Sequence, residues 1–251
     1  DSHAALTVQA LRAGKHVFVE KPLCLTEDEL QDIRSTYEKQ AAEGLHLMVG
    51  FNRRFSPHAK EARTFFSSRS NPLVMLYRIN AGRIPADHWV QDPDVGGGRV
   101  IGEVCHFVDY MHALCASPPT SVFASRVGRH SSGITEDQCS LSLTFGDGSI
   151  GTIIYTAAGS SALQKEHFEA HADGMSLVMS DFMETRTYHN GKSALFKTAK
   201  RDKGFAQEMA QFVQAIEQGL PPVIPFEQID AVTSACLLAV RSLSSGVAYP
   251  L

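Results

Sequence analysis

The sequence contains no uninterrupted apolar run near the ~20 residues that a membrane-crossing helix needs. Its first residues, "DSHAALTVQALRAG", lack the basic start and continuous apolar stretch of a secretory signal. There is no excess of basic charge: 23 Lys and Arg stand against 27 Asp and Glu, a formal net charge of -4, which leaves no electrostatic case for nucleic acid. No C-x-x-C pair occurs among Cys24, Cys105, Cys115, Cys139 and Cys236, and their number is odd. Reduced structural thiols and a cytoplasmic setting are therefore expected, not a disulfide framework. Internal repeats and low-complexity segments are missing as well. What remains is ordinary globular chemistry, 43% hydrophobic and 20% charged over 251 residues, enough for one large domain or two small ones around a buried core.

The apolar patterning changes character once along the chain. Ala4, Ala5, Val8, Leu11 and Leu6 mark the apolar face of a first helix, with Gly14 placed to end it. The chain has no initiator Met and opens inside that helix, as a fragment lacking its upstream part would. His16–Val19 reads as a short buried strand. Thr26 and Glu29 form a capping box, Leu25 and Leu30 a hydrophobic staple, and the helix they start should run to about Ala42. Leu45–Phe51 is a second apolar strand, so the opening is helix, strand, helix, strand, the second half of a parallel α/β sheet. After Asn52 a helix over Pro57–Phe66 leads into many runs of period-two alternation, from "LVMLYRINA" to "METRTYH", which predict a mostly antiparallel sheet. An amphipathic helix at about Ile101–Leu114 interrupts the strands, and two helices near Phe205 and Phe226 finish the chain. Few helices are then left to cover the large sheet, so one of its faces should carry exposed apolar area and support a homo-oligomer.

Two glycine clusters invite a cofactor reading. Gly146, Gly148 and Gly151 spell G-x-G-x-x-G, but the flanks "SLSLTF" and "IGTIIYTAA" are both strand-like. A dinucleotide fingerprint needs strand, turn and then helix, so this stretch reads as a hairpin turn. Gly96-Gly97-Gly98 follows an irregular segment and is either a plain loop or a place where backbone approaches a ligand.

Two segments carry chemistry. In "GKHVFVEKPL" a buried strand ends abruptly in Glu20-Lys21-Pro22, where Lys21 is either a solvated surface residue or a functional one. In "GGGRVIGEVCHFVDYMHAL", Glu103, His106, Asp109 and His112 recur every third residue. On a regular helix Glu103, His106 and Asp109 share a stripe and His112 lies opposite Glu103, so the four cannot ligate one metal. Glu103-x-x-His106 has half of a di-iron spacing without a second copy, and no metal is expected. His106 alone is either a satisfied core histidine or a site residue. Asn52-Arg53-Arg54 at a strand end is either a surface salt-bridge cluster or a contact to cofactor or anionic substrate.

"AGKHVFVEKPL", then "GFNRRFSP", then "GGG…H…D", with "GVAYPL" after a long terminal helix, resembles the Gfo/Idh/MocA family of NAD(P)-dependent oxidoreductases over nearly the whole chain. "GGGRVIGEVCHFVD" is most similar to the branch associated with alcohol-dehydrogenase-like modules. The resemblance implies residues 1–52 as the C-terminal part of a Rossmann domain, its phosphate-binding loop lying upstream, and 53–251 as an α+β substrate and oligomerisation domain built on an open, mainly antiparallel sheet with helices on one face. It implies hydride transfer between NAD or NADP and a hydroxyl or carbonyl of a sugar-like or sugar-nucleotide substrate, by the full-length protein and not by this fragment alone. Lys21 and His106 would be catalytic, His3, Glu20, Lys21 and Pro22 would meet the cofactor, and Glu103, Asn52, Arg53 and Arg54 the substrate. One departure stands out: the family usually has Asp four residues before this His, and here the position is Gly102. Either Glu103 substitutes, or the substrate differs, or the chain is a ligand-binding or assembly module derived from the family. A metal hydrolase using Glu103, His106 and Asp109 is a distant third reading.

Overall fold

The structure is a computed structural model that describes residues 2–41, 43–85, 87–92, 95–127 and 137–251. It opens with α1 (His3–Arg12), β1 (Val17–Val19), α2 (Glu27–Ala41) and β2 (Leu47–Val49). The two strands pair in parallel, Val17 with Leu47 and Val19 with Val49. All but one of their six residues are buried, as strands covered on both faces must be. α2 starts where its capping box places it. The Glu29 amide donates to Thr26 Oγ1 at 3.1 Å, and Glu29 Oε2 accepts the amides of Thr26 and Leu25. In α1 the inward face is Ala4, Thr7, Val8 and Leu11; Ala5 and Leu6 are exposed, a correction to the apolar face read from sequence. Thr7 takes the position because helical spacing from Ala4 and Leu11 selects it, whatever its polarity.

The remainder is α3 (Pro57–Phe65), β3 (Val74–Asn80), α4 (Cys105–Cys115), β4 (Pro119–Arg126), β5 (Gln138–Phe145), β6 (Ile150–Thr156), β7 (Glu166–Ala172), β8 (Met175–Ser180), β9 (Glu184–His189), β10 (Lys192–Lys197), α5 (Phe205–Glu217), α6 (Phe226–Ser245) and β11 (Tyr249–Pro250). The strands form one sheet in the order β10-β9-β8-β7-β3-β6-β5-β4-β11. Every pair is antiparallel except β3–β6, whose partners Val74↔Ile150 to Asn80↔Thr156 run in parallel. The literal G-x-G-x-x-G is the β5–β6 hairpin, with the Phe145 amide donating to Ser149 O and the Gly148 amide to Phe145 O. Its last glycine has a packing reason: a Cβ at Gly151 would lie 2.6 Å from Met111 Sδ of α4.

α4 is the central helix. All of its residues except Ala113 are buried. Its rings meet those of the sheet, Phe107 with Tyr77 at 4.8 Å and Tyr110 with Phe168 at 4.9 Å between centroids. Such pairs add to the burial of large apolar surface. α6 lies against α4, α2 and β4, and so ties the small parallel sheet to the large one. The other side of the large sheet is less covered: Val74, Phe123, Ile150 and Ile154 are each about half exposed there. Among the described residues no helix is long and apolar enough to cross a membrane.

Candidate active site

Lys21 and Pro22 follow directly on β1, at the carboxyl end of the parallel strands, where open α/β sheets present ligand sites. The Lys21–Pro22 peptide is cis. His3, at the start of α1, brings its Nδ1 within 2.7 Å of Pro22 O, fastening the helix to this turn. The Glu20 carboxylate does not lie with them. It sits over Gly50, 3.2 Å from where a Cβ would be, on the side of α5.

The second half of the site comes from the helix across the cleft. Its first turn, Val100–Val104, is π-helical and leads into α4. The uniform 100° step assumed from sequence therefore does not relate Glu103 to His106, because i→i+5 bonding widens the turn. Such turns recur at functional sites. Lys21 Nζ donates to Gly102 O in this turn at 2.7 Å, across 81 residues of sequence. Its other two N–H groups remain for a ligand. Glu103, next along, is an occupied carboxylate. Tyr155 OH donates to Oε2 at 2.5 Å, Arg99 approaches the same oxygen at 3.0 Å, and Lys165 Nζ donates to Oε1 at 2.7 Å. Burial works to raise its pKa, and Lys165, Tyr155 and Arg99 outweigh burial and hold it below the usual carboxylate range.

His106 is buried against Phe51, its ring edge-on at 6.4 Å, and its Nδ1 has no partner among the described residues. It is therefore not a satisfied core histidine. Burial, then Arg53, Lys21, Lys203 and Lys165, push its pKa well below 6.5, so the imidazole is neutral at physiological pH.

Asn52, Arg53 and Arg54 form a 3-10 turn after β2 and are all buried, which removes the surface salt-bridge reading. Arg53 donates two bonds of 2.9 Å to Glu166, which also accepts from Lys203 and from Tyr77 OH. Arg54 donates two bonds to Asp109 and one to Gln228. Asn52 Nδ2 donates to Lys203 O. These donors, expected to meet a substrate, are spent on the protein itself. Asp109, which shares a stripe with Glu103 and His106 on a regular helix, is Arg54's partner. The partners Tyr155, Lys165, Glu166 and Lys203 carried no local signal. Tyr155 and Glu166 stand in strands read only for alternation, Lys165 just before β7 and Lys203 just before α5, and only the tertiary fold brings them to residue 103 or 53.

In the Gly96-Gly97-Gly98 cluster the first two glycines serve close packing. A Cβ at Gly96 would meet Val90 Cα at 2.5 Å, and one at Gly97 would meet the Leu25 side chain at 2.6 Å. The turn bearing Trp89 is thereby pressed toward α2, closing a cavity of about 100 Å³ whose lining includes His3, Lys21, Pro22, Leu25 and Trp89.

Residues 1–51 match the model described as "Oxidoreductase family, NAD-binding Rossmann fold", and residues 72–177 match that of the "GFO/IDH/MocA C-terminal domain", together more than half of the chain. An uncharacterised oxidoreductase, YrbE of Bacillus subtilis, is 29% identical over 155 residues, 60% of this chain and 44% of that protein. The inositol 2-dehydrogenase of Rhizobium meliloti is 26% identical over 237 residues, 87% of this chain and 68% of that protein. The fold is that of an oxidoreductase domain protein from Kribbella flavida, at a TM-score of 0.84 and 22% identity over 100% of this chain and 78% of that one. The half-Rossmann unit, the nine-stranded sheet behind it and the paired family matches agree: the chain belongs to the Gfo/Idh/MocA family of NAD-binding oxidoreductases.

Proposed function

We propose that the protein of which this chain is part oxidises a hydroxyl, or reduces the matching carbonyl, of a sugar- or polyol-like substrate with NAD or NADP, using Lys21 and His106. The observation that carries this reading is that two polar groups of opposite proton capacity stand close enough for the charge of one to act on the other, and neither is fully satisfied by the protein. Lys21 has N–H groups to spare, and His106 is neutral with an unpartnered ring nitrogen. Most buried polar groups are paired, so unspent ones beside a cleft mark chemistry.

The residues present fit the nicotinamide end of the dinucleotide and no more of it. The cavity beside Pro22 and Trp89 is mostly apolar-walled with Lys21 in its lining, while no strand–glycine turn–helix of the phosphate-binding kind occurs among the described residues. When bound, the nicotinamide supplies the hydride acceptor. Lys21 then donates to the substrate oxygen and stabilises the charge that grows on it. His106 takes the hydroxyl proton, at Nε2, since its Nδ1 is enclosed. Burial of Nδ1 and the four nearby cations keep the imidazole unprotonated until that moment. Arg53 and Arg54 act at one remove, anchoring the turn after β2 to β7 and α4 so that the two halves of the cleft stay in register. We place the division between cofactor and substrate domains at this turn, near residue 52.

The test is steady-state hydride transfer by the full-length enzyme, followed at the nicotinamide absorbance over a panel of sugars and polyols. Lys21→Ala should lower turnover by about 100-fold or more with a smaller effect on substrate binding. Lys21→Arg should not rescue it, because a planar guanidinium fork does not fill the place of the compact ammonium held on Gly102 O. His106→Ala should cost as much and be non-additive with the lysine change. Near wild-type turnover in Lys21→Ala would remove the assignment.

A further inference from the structure

The cleft is not electrically balanced. Among the described residues, five cations gather around the π-helical turn and His106: Lys21, Arg53, Arg99, Lys165 and Lys203. Three carboxylates answer them. Glu166 takes Arg53 and Lys203, Glu103 takes Lys165 and Arg99, and Asp137 stands 3.8 Å from Arg99. Lys21 meets only a carbonyl oxygen. The Glu20 carboxylate, its neighbour in sequence, lies over Gly50 and beside Glu208 instead. The charged groups that act most strongly on His106 are all cations.

Two of these cations dock on adjacent residues, Lys21 on Gly102 and Lys165 on Glu103, and so flank the same turn. Lys165 is no loose surface side chain. Its loop is tied to β3 by the Asn80 amide donating to Lys165 O, by Asn80 Nδ2 donating to Ser160 O and Leu163 O, and by Arg78 donating to Gln164 O. A Cβ at Gly159 would strike Asn80 Oδ1 at 2.2 Å, so the loop is pressed onto this anchor. The Lys165 side chain is 37% exposed and gives one N–H to Glu103, leaving two for a ligand. A cation held by its loop, aligned by a carboxylate and still part-open is arranged for recognition of an anion.

We propose that the substrate carries a carboxylate, as a uronic or aldonic acid does, and that Lys165 binds it while Lys21 and His106 address the reacting hydroxyl. Glu103 is then a positioning residue: Tyr155 and Arg99 fix its carboxylate, and it aims Lys165. The proposal rests on the dehydrogenase reading above for the reacting hydroxyl, and on the charge arrangement alone for the acid.

The test uses full-length enzyme with NAD or NADP and matched pairs, an aldonate against its alditol and a uronate against its aldose. The acid of a pair should have a kcat/KM at least about tenfold higher, and Lys165→Met should cut the acid-to-neutral ratio by about tenfold or more, mainly through KM for the acid. Lys165→Arg, which keeps the charge, should retain most of the preference. Isothermal titration of the same acids into the enzyme with reduced cofactor gives the second readout. Neutral members preferred, or a ratio unmoved in a folded Lys165→Met, overturns the carboxylate proposal and leaves the dehydrogenase reading standing. Acid binding with no hydride transfer keeps the carboxylate site and removes the dehydrogenase reading, and neither binding nor turnover by any pair overturns both.

Discussion

Glu166 and Glu208 are both almost wholly buried, at 0% and 3% exposed, and their carboxyl groups behave in opposite ways. Glu166 begins β7 and receives Arg53, Lys203 and Tyr77. Burial works to raise its pKa, and the two cations with their hydrogen bonds bring it down to about 2. Glu208 lies on α5 with its Oε1 unpartnered among the described residues, and burial together with the Glu20 and Asp109 charges pushes it up to about 8. Burial is common to the two, so the neighbours decide the sign. The same rule separates Arg53, fully engaged and structural, from Lys21 and His106, which the protein leaves underused.

The strongest way to break that contrast is Glu166→Ala. It strands Arg53 and Lys203 as uncompensated cations, and removing one member of a buried pair costs about 3–5 kcal/mol. Urea unfolding should show it as a lower midpoint at an unchanged slope, and a loss under about 1 kcal/mol would mean that the cluster does not hold the fold. The contribution of Glu166 also has a pH window. Its folded pKa is depressed, so the stability is present above about 4.5 and is lost as pH falls toward 2.

Glu208 should show the opposite slope. Its folded pKa is raised, so it costs nothing below about 4.5, and stability falls as pH rises from there to about 8. Glu208→Gln keeps the shape of the protonated carboxyl and should recover up to about 4 kcal/mol at pH 8 while changing little at pH 4.5. Thermal melts of both proteins across that range check it, and parallel curves would show that Glu208 ionises normally.

The smallest effect sharpens the contrast from the other side. Lys21 makes one hydrogen bond to a carbonyl and is part-exposed, so Lys21→Ala should move stability by no more than about 1 kcal/mol even as it removes activity. A loss as large as that of Glu166→Ala would place Lys21 with the structural pairs.

Much of the local structure was legible in the residues. The Thr26–Glu29 box spans only four residues, and the structure makes each of its bonds. Phe145–Ser149 is a hairpin because strands flank it on both sides. β10 escaped because it is an edge strand with nearly every residue exposed, so "KSALFK" has no alternation to read. The parallel pairing of β3 with β6 left no trace either, since period two is the same for either direction. In the site, Lys21 and His106 were singled out by the family resemblance, each having a plain structural alternative from its residues alone, and the burial and pairing of Arg53 and Arg54 left no trace. A strand-end arginine looks the same in sequence whether its carboxylate is water-exposed or, like Glu166, 113 residues away and sealed in the core.

By itself, then, the sequence determined whatever a few neighbouring residues settle among themselves: helix starts, hairpin glycines, the inward phase of most strands, and the motifs that carry the family resemblance. The tertiary structure decided which polar groups are spent. The π-helical turn at Val100–Val104 changed the direction of Glu103, and β6 and the loop before β7 supplied Tyr155 and Lys165 to meet it. The pKa of His106 was likewise set by cations from four separate segments. Hydrogen-bond satisfaction and charge balance depend on distance through space, and no periodicity along a chain records them.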